Sequence, residues 1–107
     1  MGGRMRRGEV RWYRFAPPDK RRPVVILTRN SILEYLGEVT VAPVTSTVRG
    51  IPSEVALAQE DGMPHACAVN CDHLQTVVKS RIEQVITTLS PERMREIRTA
   101  IHFSLGL

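Results

Sequence analysis

The chain has 107 residues, 42% of them hydrophobic and 24% charged, and carries a formal net charge of +4. That balance describes one globular domain with a single modest core, and it excludes multidomain, fibrous and low-complexity classes. No apolar run approaches the roughly 20 residues that span a bilayer, and Val10 to Phe15 is too short and too charged for a signal sequence, so no membrane partner and a cytoplasmic location are expected.

Residues 1–5 read as a flexible extension of a single domain that runs to residue 107. Gly8 to Phe15 alternates and carries aromatics, which predicts a first strand. Ala16-Pro17-Pro18-Asp19 forms a turn. Pro23 to Thr28 is a continuous branched apolar run, expected as a central strand buried on both faces. Asn30 to Leu36 accommodates one or two helical turns. Glu38 to Thr45 predicts a third strand, with Pro43 forcing a bulge or an edge near its end. A basic loop follows from Thr47 to Pro52. Ser53 to Leu57, Ala66 to Cys71 and Gln84 to Leu89 predict three further strands, with a turn over Glu60 to Pro64.

Ser90-Pro91-Glu92 then announces a helix: a side-chain cap, a proline at the first helical position and an acid in the first turn. Met94, Ile97, Ile101 and Leu105 lie on one stripe at helical spacing, expected to dock on the sheet. The fold class is α+β, a strongly curled, barrel-like antiparallel sheet closed off by a C-terminal helix.

Charge is distributed unevenly. Arg4, Arg6, Arg7, Arg11, Arg14, Lys20, Arg21, Arg22 and Arg29 crowd the N-terminal part against Glu9 and Asp19 alone. A solvated surface explains this blandly, but the excess of arginine over lysine suits phosphate or an acidic protein. Trp12, Tyr13, Phe15 and Tyr35 are candidates to stack on unpaired bases, although Trp12 is the expected core aromatic. His65, Cys67, Cys71 and His73 imitate a zinc signature. On one face of a strand they would span over about 20 Å, whereas tetrahedral ligands converge within about 2.0–2.3 Å of one ion, so two buried thiols are expected rather than a metal site.

Three segments gather polar groups that a plain strand does not need. Lys20-Arg21-Arg22-Pro23 enters the central strand, and the proline holds Arg22 extended. Thr45-Ser46-Thr47 places three hydroxyls at a strand end. Asn70 and Asp72 share a face with Ala66 and Ala68, opposite the expected core face of Cys67, Val69 and Cys71. Each has an ordinary explanation: a surface anion binder, a turn cap and a salt-bridge partner.

Together the segments resemble a known set. Arg7-Gly8-Glu9-Val10, Arg21-Arg22-Pro23-Val24-Val25-Ile26, Val41-Ala42-Pro43-Val44-Thr45-Ser46, Ala68-Val69-Asn70-Cys71-Asp72, and the closing Leu89-Ser90-Pro91 helix with its Leu105-Gly106-Leu107 end are similar, in order and spacing, to the MazF/PemK/Kid toxin family. The resemblance implies an SH3-like curled sheet, a homodimer, and metal-independent cleavage of single-stranded RNA with no cofactor. It also implies a cognate antitoxin whose acidic, flexible tail covers the active groove. It places the catalytic pair on Arg22 and Thr45. Asp72 matches the family's aspartate, while Asn70 stands where some members have an arginine, and the shortened Pro17-Pro18-Asp19-Lys20 loop leaves only Asp19 for any acid supplied there.

Arg22 suits charge developing on phosphate but stays protonated at neutral pH, so it is a poor base. Asp72 is the candidate base, with His73 second because alternation turns it toward the core face. Lys20, Arg21, Ser46, Thr47, Arg49, Asn70 and His73 are the candidate RNA-binding residues. Two other classes share the features: a gyrase poison of the same fold, although such toxins end in a Trp-containing tail, and a non-catalytic RNA-binding barrel.

Overall fold

The computed structural model describes residues 4–18 and 20–107. The expected extension at residues 1–3 and the acid at Asp19 lie outside the described residues. Arg4 reaches Glu34 at 3.0 Å, and Met5 packs against the core.

The strands are β1 (Glu9–Arg14), β2 (Arg21–Ile26), β3 (Glu38–Thr45), β4 (Glu54–Leu57), β5 (Cys67–Asn70), β6 (Gln75–Val78) and β7 (Ile82–Thr88); the helices are α1 (Asn30–Leu33) and α2 (Pro91–Leu105). The sheet order is β4-β5-β3-β2-β1-β7, and β6 also pairs with β3. The eight residues of β3 hold two partners end to end, β6 along Glu38–Val41 and β5 along Val44–Thr45. One strand serving two directions curls the sheet.

The sheet curls as the sequence predicts, without closing into a barrel. β4 and β7 end the sheet, and the 3₁₀ turn Gln59–Asp61 with α2 bridges toward them instead. Thr87 Oγ1 donates to the Asp61 carbonyl at 3.0 Å, and Arg93 Nε donates to Asp61 Oδ1 at 3.0 Å.

β2 is buried on both faces, as its apolar run predicts. Val24 and Ile26 join Tyr13, Leu33, Val39, Val41 and Val77, whereas Val25 joins the cluster under α2 with Val10, Val69, Cys71 and Ile97. The expected core aromatic changes place: Tyr13 is buried and Trp12 is only half-buried, because adjacent strand residues face opposite ways.

β6 was not expected. Its Gln75 and Thr76 are exposed and only Val77 is buried, so it carries little hydrophobic alternation. In α2, Ser90 Oγ accepts the Arg93 N–H at 3.2 Å. Ile97 is buried and Met94 and Ile101 pack on the core, but Leu105 is exposed together with Phe103 and Leu107. The docked stripe therefore ends a turn earlier than its spacing predicts. No helix among the described residues is long and apolar enough to cross a membrane.

Candidate active site

Strand register assembles the polar segments. β2 and β3 pair as Ile26↔Val41, Val25↔Ala42 and Val24↔Pro43, so two positions further along the same register Arg22 stands opposite Thr45. Across β3, Val44 pairs with Val69 and Thr45 with Ala68 of β5, which sets Asn70 one step on, beside Pro43. On the same edge, β6 reaches only as far as Val41↔Gln75. The bulge or edge expected at Pro43 is thus a change of partner, placed at the one residue of β3 with no N–H to offer a ladder.

The link from β5 to β6 turns at this gap. Asn70 Oδ1 accepts the Asp72 N–H at 3.0 Å, an Asx turn that ends the strand. Cys71 is still buried, but alternation stops there. His73 is therefore exposed rather than turned to the core, a correction to the expectation from sequence.

Phe15, Arg22, Pro43, Val44, Thr45, Asn70, His73 and Gln75 line a cavity of ≈ 300 Å³. A second cavity of ≈ 240 Å³ shares Arg22 and Val44 and adds Trp12, Ser46, Met63, Pro64 and His65 to its walls. Arg22 thus borders both spaces. Phe15 was a candidate to stack on bases, whereas Gln75 was not singled out; its signal would have been the branched Thr76-Val77-Val78 run that makes β6.

Thr45 Oγ1 accepts the Thr47 N–H at 3.1 Å. That fixes the hydroxyl by its lone pair and leaves its proton to donate into the cavity. Among the described residues no carboxylate pairs with Arg22. Arg21 is engaged: its Nε donates to Glu83 Oε1 at 2.7 Å, and its guanidinium lies 4.6 Å from the centre of the Trp12 ring. Lys20, Thr47 and Arg49 are exposed and line neither cavity, and Glu54 Oε1 accepts the Arg49 N–H at 2.9 Å to hold that loop.

Asp72 does not line the cavity with Arg22 and Thr45. Its Oδ2 accepts the Ser53 hydroxyl at 2.5 Å, and its Oδ1 accepts the Ser104 hydroxyl at 2.8 Å. These two bonds hold its carboxyl below the usual carboxylate range, and they tie the β5–β6 turn to β4 and α2. The geometry brings Arg22, Thr45, Asn70 and His73 together and leaves Asp72 outside as a brace.

The cysteines are free and buried, and burial pushes the Cys71 thiol up to about 11. Cys67 and His65 border the second cavity while His73 borders the first, so the zinc-like letters do not converge.

The model of the PemK-like, MazF-like toxin of type II toxin–antitoxin systems matches residues 6–105. A probable endoribonuclease MazF2 of Mycobacterium tuberculosis is 40% identical over 103 residues, covering 95% of this chain and 99% of the relative. Among solved structures, the Mycobacterium tuberculosis toxin MazF-mt6 superposes with a TM-score of 0.85 at 33% identity, over 92% of this chain and 97% of that one. An endoribonuclease from a mycobacterial species, in complex with its cognate antitoxin, also superposes with a TM-score of 0.85, at 27% identity and 96% coverage of both chains.

Proposed function

The chain belongs to the PemK-like, MazF-like toxin family of type II toxin–antitoxin systems, and on that premise we propose that it is a sequence-selective endoribonuclease that cuts single-stranded RNA without a metal ion. The observation that carries the reading is the cleft itself: an arginine with no carboxylate partner among the described residues, opposite a threonine whose proton is free to donate.

RNA brings its own nucleophile. The 2′-hydroxyl attacks the adjacent phosphorus, the P–O5′ bond breaks, and the products carry a 2′,3′-cyclic phosphate and a 5′-hydroxyl. The protein has to align the splayed backbone and stabilise charge on the phosphorane. Arg22 does so as a fixed planar cation, and Thr45 adds a second donor. Lys20, Arg21, Ser46, Thr47, Arg49 and Asn70 hold the strand on either side, and Asp72 braces the turn. The two cavities flanking Arg22 give neighbouring bases places to lie apart, which single-stranded recognition requires.

The partners in this reading are a second copy of the chain and a cognate antitoxin, the latter supported by the relative solved with its own. Its acidic tail would lie over the same cleft, in the cytoplasm where RNA is met. The gyrase-poison and non-catalytic readings leave the pairing of Arg22 with Thr45 without a task. Arg22→Ala and Thr45→Ala should each lower the cleavage rate by about 10²–10³, as the loss of one charge-stabilising donor does. A variant that cuts at the wild-type rate removes its residue from the reading.

A further inference from the structure

We infer that His73 is the general base of this cleavage, an inference that rests on the endoribonuclease reading. Among the described residues eight line the cavity beside Arg22, and His73 is the one whose side chain can serve as a base. Arg22 stays protonated. The Thr45 hydroxyl and the Asn70 and Gln75 amides do not ionise there, and Phe15, Pro43 and Val44 carry no proton to exchange. An imidazole ordinarily titrates between about pH 5 and 8, where a general base works best.

Asp72, the carboxylate expected to fill this role, is committed elsewhere. Both its oxygens hold serine hydroxyls, and it is not among the residues that line the cavity. The same bonds stiffen the short turn that presents His73. Asn70 Oδ1 pins the turn at its start, Ser53 ties it to β4, and Ser104 ties it to α2. Among the described residues, the charged groups beside the imidazole are Arg22 of β2, which lines the same cavity, and Asp72 of its own turn; β3, β5 and β6 contribute the neutral Thr45, Asn70 and Gln75. The shift of the base from a strand position to this turn follows from the local sequence, since the Asx turn at Asn70 rotates residue 73 out of the core.

The step balances as follows. The neutral imidazole takes the 2′-hydroxyl proton as the 2′-O–P bond forms and the P–O5′ bond breaks. The departing 5′-oxygen takes a proton from water, and the imidazolium then neutralises the hydroxide left behind.

The test is the pH profile of kcat/KM on a short single-stranded RNA for the wild type, His73→Gln and Asp72→Asn. Wild-type activity should rise tenfold per pH unit below the imidazole titration and then level. His73→Gln should lose about 10²–10⁴ in rate together with that rising limb, and added imidazole should restore part of the rate to His73→Ala. Asp72→Asn should keep the limb. A rising limb and near-normal rate in His73→Gln overturn the inference while the nuclease reading stands. So does a limb lost only in Asp72→Asn. A wild-type chain that cuts no RNA at all overturns the reading and the inference with it. His73 is exposed, so an unchanged melting temperature in its variants is expected and separates chemistry from folding.

Discussion

Arg22 and Thr45 meet because three consecutive pairs, from Ile26↔Val41 to Val24↔Pro43, fix the register of two strands. Arg22→Lys keeps the charge and loses the planar fork, so it should remain far closer to Arg22→Ala than to wild type in single-turnover cleavage. Thr45→Ser should retain most of the rate and Thr45→Val should not, since the serine preserves the donor. Equal losses in the two would assign Thr45 a packing role instead. This pair was legible in the sequence through the motifs around it. His73 was named too, as an RNA-binding residue and as the second candidate base, but its direction was not legible, because it depends on where β5 stops. Strand alternation extrapolated through Cys71 gives the wrong face, and one side-chain bond from Asn70 to Asp72 decides the matter.

At the scale of elements, the sheet is kept in shape by a small polar knot between its ends. Arg93 of α2 reaches Asp61 at 3.0 Å and Glu96 at 3.0 Å, and Thr87 of β7 bonds the Asp61 carbonyl. Gly62 follows with φ 91°, and a β-carbon there would overlap the Thr87 side chain. Gly62→Ala should therefore cost about 2 kcal/mol or more in a denaturant titration, from left-handed backbone strain plus overlap. Arg93→Ala should cost about 1.5–3 kcal/mol, the range for a hydrogen bond to a charged group.

The Arg93 guanidinium holds the Asp61 carboxyl below its ordinary range. Its folded pKa is depressed, so its contribution is full above the unfolded value near about 3.9 and is lost as pH falls through the folded one. Wild type should lose this contribution below about pH 4. Arg93→Ala, which lacks it already, should show a shallower decline in midpoint over that window. Equal declines would mean that the pair does not govern acid stability. The sequence disclosed the strands with strong apolar runs and the capped helix; β6 and this knot were hidden because they rest on polar residues whose partners are far away in the chain.

At the scale of the whole molecule, much of the N-terminal basic charge is already answered. Arg11 pairs with Glu9, and Arg14 and Arg21 converge on Glu83. Arg6, Arg7, Lys20, Arg22 and Arg29 of that stretch, and Arg49 beyond it, have no carboxylate partner among the described residues, and of these Arg22 borders the cleft. RNA affinity should fall with salt, and Arg49→Ala should reduce the slope of log affinity against log salt by about 0.7, the single-strand value for one phosphate contact. An antitoxin with an acidic tail should displace RNA from the inactive Thr45→Ala protein, since both would use the same charges. RNA that stays bound at saturating antitoxin would place inhibition elsewhere.

The central claim is that the chain cuts RNA using only its own side chains and the substrate's 2′-hydroxyl. The most direct measurement is incubation of the purified protein with a single-stranded RNA in excess EDTA, followed by identification of the product ends. Cleavage to a 2′,3′-cyclic phosphate and a 5′-hydroxyl is the result expected, with a substrate carrying 2′-deoxyribose at the scissile position left whole. Activity that vanishes with the chelator and returns with magnesium, or equal cleavage of the deoxy-substituted substrate, would contradict it.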